Sequence, residues 1–146
     1  MKTILIIFII IFSCASPEKE CGYISKNGSL DSLVFYINRG RMAEGLLPLV
    51  PDTLLESIAF RKTLEMQISG IFSHNGYIER ETESKSLLFG ENLGYNYTSQ
   101  YKLYLGYMKS PGHKENIMNV DFNSIGSSSR GKYNTCLFAK YKIKWK

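Results

Sequence analysis

The chain has 146 residues, of which 44% are apolar, 13% aromatic and 21% charged, with three cysteines and a net charge of +5. That length accommodates one hydrophobic core and leaves little room for a second. The apolar and aromatic content excludes a disordered chain, three cysteines are too few for a disulfide-built miniprotein, and so mild a positive excess does not imply a nucleic-acid partner.

The first element is an export signal. Met1-Lys2 precedes an unbroken apolar run from Ile4 to Phe12, nine residues long. Such a run covers only about half of a bilayer core, which fits the central region of a signal peptide and not a membrane span. Ser13-Cys14-Ala15 has the small-x-small form cut by an ordinary signal peptidase, whereas Ile11-Phe12-Ser13-Cys14 resembles a bacterial lipobox with Cys14 as the lipidated first residue. The lipobox is favoured because a free cysteine is unusual beside a cleavage site in an oxidising compartment. Several acyl chains on Cys14 would make a stable membrane anchor, each buried methylene adding about 0.8 kcal/mol. The expected organisation is a signal peptide over 1–13, a lipidated cysteine and tether over 14–28, and one domain over 29–146. Loss of Lys2 with the leader would leave about +4.

Leu30, Leu33, Val34 and Ile37 follow helical spacing, with Ser29 or Asp31 as cap, and predict a helix that stops near Gly45. Thr53-Leu54-Leu55-Glu56 reads as a capping box opening a second helix, with Leu55, Ile58, Ala59 and Met66 on one stripe before Gly70. Lys62 falls on that stripe and is expected at its margin, or with its stem along the apolar face and its ammonium in water. The stretch from Asn75 to Tyr97 has weak periodicity and several charges, and is expected to be a long loop over a site. A third helix from Thr98 or Ser99 carries Tyr101, Tyr104, Leu105 and Met108 as far as Pro111, and Ser110-Pro111 starts a short turn over His113 to Met118. After Asp121 the period becomes strand-like, and Phe122–Ser128 and Tyr133–Trp145 are expected to pair as an antiparallel hairpin. On that last strand Lys140, Lys142, Lys144 and Lys146 would face one side, either as a solvated edge or as a stripe for an anionic lipid, glycan or nucleic acid. The N-glycosylation sequons at Asn27 and Asn96 are incidental if the protein is a bacterial lipoprotein.

The two histidines, His74 and His113, both stand beside glycine at element ends, and Glu91 occupies a third turn of the same character. Two imidazoles and a carboxylate can hold zinc with an open position for water, although this long-range spacing has no local signature. With Cys14 lipidated, Cys21 and Cys136 remain, and either pair or stay as thiols. A bridge between them would close a loop of over a hundred residues and contribute about 4–5 kcal/mol by chain entropy.

Seven ordered motifs carry a family resemblance: Asn38-x-x-Arg41, Gly45-Leu46-Leu47-Pro48-Leu49, Leu55-x-x-x-Ala59, Phe72-Ser73-His74, Gly90-Glu91-Asn92-Leu93, Met108-x-Ser110-Pro111-Gly112-His113-x-x-Asn116-Ile117 and Phe122-x-x-Ile125-Gly126. Together they resemble the bacterial branch of the CAP superfamily, the SCP-like domain, from about Leu30 onward. The resemblance implies an α+β fold, a three-layer α-β-α sandwich with a C-terminal antiparallel hairpin, and a surface cleft to which His74, Glu91 and His113 would contribute. The chain departs from the family in its low cysteine count, which sets it apart from the disulfide-rich eukaryotic branch, in Tyr107-Met108 where bacterial relatives commonly have Trp-Met, and above all in the cleft. A second cleft glutamate belongs on the helix corresponding to Ser99–Lys109, and that stretch has no acidic residue. Glu115 is the nearest substitute, but lies about 200° from His113 around a helix.

These features favour a monomeric, non-catalytic surface module that binds an envelope, lipid or host ligand and is attached to the membrane through Cys14. The alternative is a metal-dependent hydrolase in which His74 and His113 hold zinc and Glu91 serves as ligand or base. A purely structural lipoprotein with a vestigial cleft is the third reading.

Overall fold

A computed structural model describes residues 32–142. The leader, Cys14, the tether, Cys21, Leu30, the caps proposed at Ser29 and Asp31, Lys144, Trp145 and Lys146 lie outside the described residues. In chain order the elements are α1 (Leu33–Ala43), β1 (Val50–Pro51), α2 (Thr53–Ser69), α3 (Tyr77–Ser84), β2 (Leu88–Tyr95), α4 (Gln100–Lys109), α5 (Pro111–Met118), β3 (Ser124–Arg130) and β4 (Tyr133–Lys140).

The strands form one sheet in the order β1-β3-β4-β2, with β1 parallel to β3 and the other pairs antiparallel. Strand β4 is central, so both its faces are covered and alternate residues feed two cores. Leu137 and Ala139 pack with Leu55, Ile58 and Ala59 of α2 and with Phe89. Cys136 and Phe138 face the other way, onto Leu33, Val34 and Ile37 of α1, Leu103 and Tyr107 of α4, and Ile117 of α5. This is the α+β, three-layer arrangement that the resemblance implies.

Helix starts follow capping chemistry, one residue away from some expectations. Ser32 caps α1, its hydroxyl accepting from Phe35 N at 3.1 Å. Asp52, and not Thr53, caps α2, its Oδ1 accepting from Leu55 N at 2.9 Å. A carboxylate at that position also complements the positive end of the helix, which a threonine does not. Two motif residues in α1 then tie distant segments together. Asn38 and Leu49 exchange bonds of 2.9 and 2.8 Å. The buried Arg41 donates to Leu47 O, Ile117 O and Asn119 O at 2.9, 2.7 and 2.8 Å.

Four expectations are corrected. The stretch from Asn75 to Tyr97 is no long loop: it contains α3 and β2. Helix α4 buries Leu103 and Tyr107, while Tyr101 and Leu105 are exposed. Strand β4 ends at Lys140, and Lys140 bonds Asp121 at 2.5 Å; of the expected lysine stripe, Lys142 is exposed beyond the strand. Lys62 is neither marginal nor in water. Its side chain is fully buried, with the ammonium donating to Asn75 O at 2.9 Å and to Glu65 Oε1 at 3.0 Å.

Candidate functional site at the edge of the sheet

Strand β2 lies at the edge of the sheet, so its two faces meet at an open margin. Glu91 points to the same side as Phe89, toward α3, and its carboxylate has no exposure. Arg80 of α3 grips it in a fork, Nε to Oε2 at 2.7 Å and Nη2 to Oε1 at 2.8 Å. Two parallel charge-assisted bonds of this kind compensate the cost of burying the carboxylate. His74, from the turn between α2 and α3, places Nδ1 2.8 Å from the same Oε1. An ionised carboxylate only accepts, so Nδ1 carries the proton and Nε2 of the neutral ring is left as an acceptor. More than half of the His74 side chain is exposed, at 56%.

The His74 turn is itself anchored from below. Asn75 O accepts from Arg80 Nη1 at 2.8 Å as well as from Lys62 Nζ, and His74 O accepts from Arg80 Nη2 at 3.3 Å. One arginine therefore fixes both the carboxylate and the backbone that presents the imidazole.

On the other face of β2, Asn92 reaches toward α5, donating to His113 O at 3.0 Å and accepting from Asn116 Nδ2 at 2.8 Å. Helix α5 comes this close because residue 90 is glycine: a β-carbon there would stand 2.9 Å from both Asn116 Oδ1 and Phe122 Cζ. The His113 ring lies 4.9 Å from that of Tyr107, centroid to centroid. Burial, and secondarily the nearby His74, lower its pKa from the ordinary histidine value. Tyr107 donates to Asn92 O at 3.3 Å, and burial pushes its phenol well up.

The structure thus joins His74 and Glu91 directly and brings His113 within electrostatic reach of His74. Glu115 is exposed on a regular α5, consistent with its position around the helix. Cys136 is buried on β4 with its thiol pKa raised by burial, and its expected partner Cys21 lies outside the described residues. Arg80, Lys62, Asn92 and Asn116 are the residues that sequence reasoning does not place in the site. In the sequence Arg80 reads as one of several loop charges, and Asn92 and Asn116 are visible only as motif letters.

The donor set does not fit a catalytic zinc centre. Such centres take three protein ligands. Here Glu91 has both oxygens engaged by Arg80, and a dication beside that guanidinium would face like charge. Among the described residues no three His, Cys, Asp or Glu side chains are grouped as a metal site requires. What the arrangement does provide is an oriented, exposed imidazole on a rigid polar frame.

The sequence profile of the CAP family, described as the cysteine-rich secretory protein family, matches residues 34–138. The uncharacterized membrane protein YlbC of Bacillus subtilis (strain 168) is 30% identical over 107 residues, which cover 68% of this chain and 31% of that protein. An extracellular SCP-domain protein from Bacillus anthracis str. Ames superposes with a TM-score of 0.71 at 22% identity, over 75% of this chain and 39% of its own. An outer surface protein from Borrelia burgdorferi gives 0.70 at 22% identity, over 75% and 90%. The chain thus spans about a third of YlbC and most of the Borrelia protein. With the profile matched across most of its length, and with the fold and the β2 edge built from the motif residues, the protein belongs to the CAP family.

Proposed function

We propose that this protein is an exported, envelope-attached CAP domain whose β2-edge cleft is a non-catalytic recognition site for an envelope, lipid or host ligand. The observation that carries the reading is the fork from Arg80 to Glu91. A hydrolase of the zinc type needs a carboxylate free to bind metal or to take a proton from water. Glu91 instead acts as a buried anchor that orients His74 and leaves its Nε2 as an acceptor for a ligand. The chain acts as a monomer tethered by lipid on Cys14. The lipobox-like Ile11-Phe12-Ser13-Cys14 supports export and anchoring, as do relatives described as extracellular, outer surface or membrane proteins.

Expression in a bacterium with radiolabelled palmitate, followed by protease treatment of intact cells, tests location and anchoring. Label on the wild type, its loss in Cys14→Ala, and cleavage in intact cells are expected. Labelling that persists in Cys14→Ala, or full protection from protease, would count against the assignment. Hydrolysis of a panel of ester, peptide and glycan substrates that disappears in His74→Ala would overturn the non-catalytic reading.

A further inference from the structure

The end of the molecule that carries the turn between β3 and β4 is apolar and basic. Ile68 and Ile71, 78% and 62% exposed, stand on either side of Gly70, whose left-handed backbone ends α2. The exposed Phe72 ring follows, 5.7 Å from that of Tyr95 at the end of β2, and the Tyr95 ring lies 5.2 Å from that of Tyr133 at the start of β4. Arg130, the last residue of β3, donates to Gln67 Oε1 at 3.1 Å and sits 5.1 Å over the Phe60 ring, which fixes the turn to α2. Lys132 in the turn is exposed and joins none of the ion pairs among the described residues. The segments that build this end, 67–74, 93–102 and 128–135, contain Lys102, Arg130 and Lys132 and no acidic residue. Glu44, Asp52 and Asp121 lie around the opposite end, near the starts of β1 and β3.

The chain enters the domain at this same end. In the first turn of α1 the Tyr36 ring lies 5.1 Å from that of Tyr101, and Gln100 beside Tyr101 donates to Ser129 Oγ at 3.1 Å, next to Arg130. The last turn of α1 lies at the far end, where Arg41 holds Ile117 O and Asn119 O. Residues 15–31, which link Cys14 to α1, therefore join the domain on the side of the apolar rings, and an anchor on Cys14 draws that side toward the bilayer. A bilayer surface suits the chemistry found there. Isoleucines protruding from a helix end can enter the acyl boundary, and tyrosines favour the interface because the ring is apolar while the hydroxyl stays among hydrated headgroups. Arg130 and Lys132, with no acid beside them, attract anionic headgroups. We infer that this end of the domain is a membrane-docking face that rests on an anionic phospholipid surface. The inference builds on the reading of the chain as an envelope-attached protein, but the face itself needs no acyl chain.

Cosedimentation tests it, using the processed chain from Ala15 to Lys146 without acyl chains and vesicles of equal parts phosphatidylcholine and phosphatidylglycerol. Binding to these vesicles is expected, about tenfold or more tighter than to pure phosphatidylcholine, and weakened by added salt. Ile68→Ser/Ile71→Ser and Lys132→Glu should each weaken it about fivefold or more. Leu47→Ser/Val120→Ser, which removes comparably exposed apolar side chains from the far end, should leave it unchanged, as should His74→Ala. Circular dichroism verifies that each protein is folded. Because no acyl chain is present, the outcome is independent of palmitate labelling at Cys14, so failure of the face and failure of the anchor are told apart. No binding to the anionic vesicles overturns the inference, as does equal binding to pure phosphatidylcholine, binding that survives Ile68→Ser/Ile71→Ser, or binding lost in Leu47→Ser/Val120→Ser. A wild-type dimer that dissociates in Ile68→Ser/Ile71→Ser, without vesicle binding, would assign the face to a second copy of the chain and overturn it likewise.

Discussion

Arg80 and Glu91 form a buried two-bond fork, at 2.7 and 2.8 Å, across the space between helix α3 and strand β2. The same guanidinium also holds the carbonyls of His74 and Asn75, so the pair links the fold to the presentation of the His74 ring. Removing one partner leaves a charge buried without compensation. Arg80→Met should therefore destabilise the protein by about 3–5 kcal/mol, and the double variant Arg80→Met/Glu91→Gln by clearly less. Urea unfolding of the four proteins in that cycle measures both. Equal loss in the single and double variants would contradict the pairing.

His113 is held below the ordinary histidine pKa, first by burial and then by His74. Because the folded value lies below the unfolded one, the contribution of His113 to stability is fully present above about pH 6.5. It is lost as pH falls through the folded value. An NMR titration of the imidazole Cε1–H should give a midpoint below that of a free histidine. In His74→Ala the midpoint should rise part of the way back, since burial remains.

Lys62 tests the anchoring of the His74 turn. In Lys62→Met the apolar stem is kept and Asn75 O loses one of its two donors. A cost of about 1–3 kcal/mol is expected. Amide exchange should quicken from Ser73 to Gly76 and stay unchanged in α1. Unaltered exchange in the turn would show that Arg80 alone suffices.

The contact between α2 and β3 depends on the absence of a side chain at residue 126. A β-carbon there would stand 2.4 Å from Glu56 N and from Leu55 C, both backbone atoms that cannot swing aside. Gly126→Ala should cost roughly 1–3 kcal/mol or more through overpacking, read as a lower Tm. A neutral substitution would mean that the first turn of α2 sits farther from the sheet.

Helices with a local signal were legible in the sequence, and features set by tertiary contact were not. The stripe of Leu55, Ile58, Ala59 and Met66 and the Ser110-Pro111 start both match the structure. In α4 the competing sets Tyr101-Leu105 and Leu103-Tyr107 have the same spacing, so only packing against α1 and α5 decides which is buried. Helix α3 opens at Gly76, in a left-handed conformation with no side-chain cap, and so lacks the usual start signal. Strand β2 carries glycines and polar residues buried on both faces, which removes the alternation that marks a half-exposed strand. Within the site, His74 and Glu91 stand out as residue types at turns. Their partner Arg80 does not, because a salt bridge spanning eleven residues leaves no periodic trace.

The central claim is that Glu91 is committed to Arg80 and that the cleft binds without a catalytic metal. Zinc titration by calorimetry on the purified protein, with His74→Ala and His113→Ala alongside, tests it most directly. No site tighter than about 1 µM, roughly 8 kcal/mol, is expected in the wild type. Stoichiometric zinc binding tighter than that, lost in both histidine variants, would contradict the account.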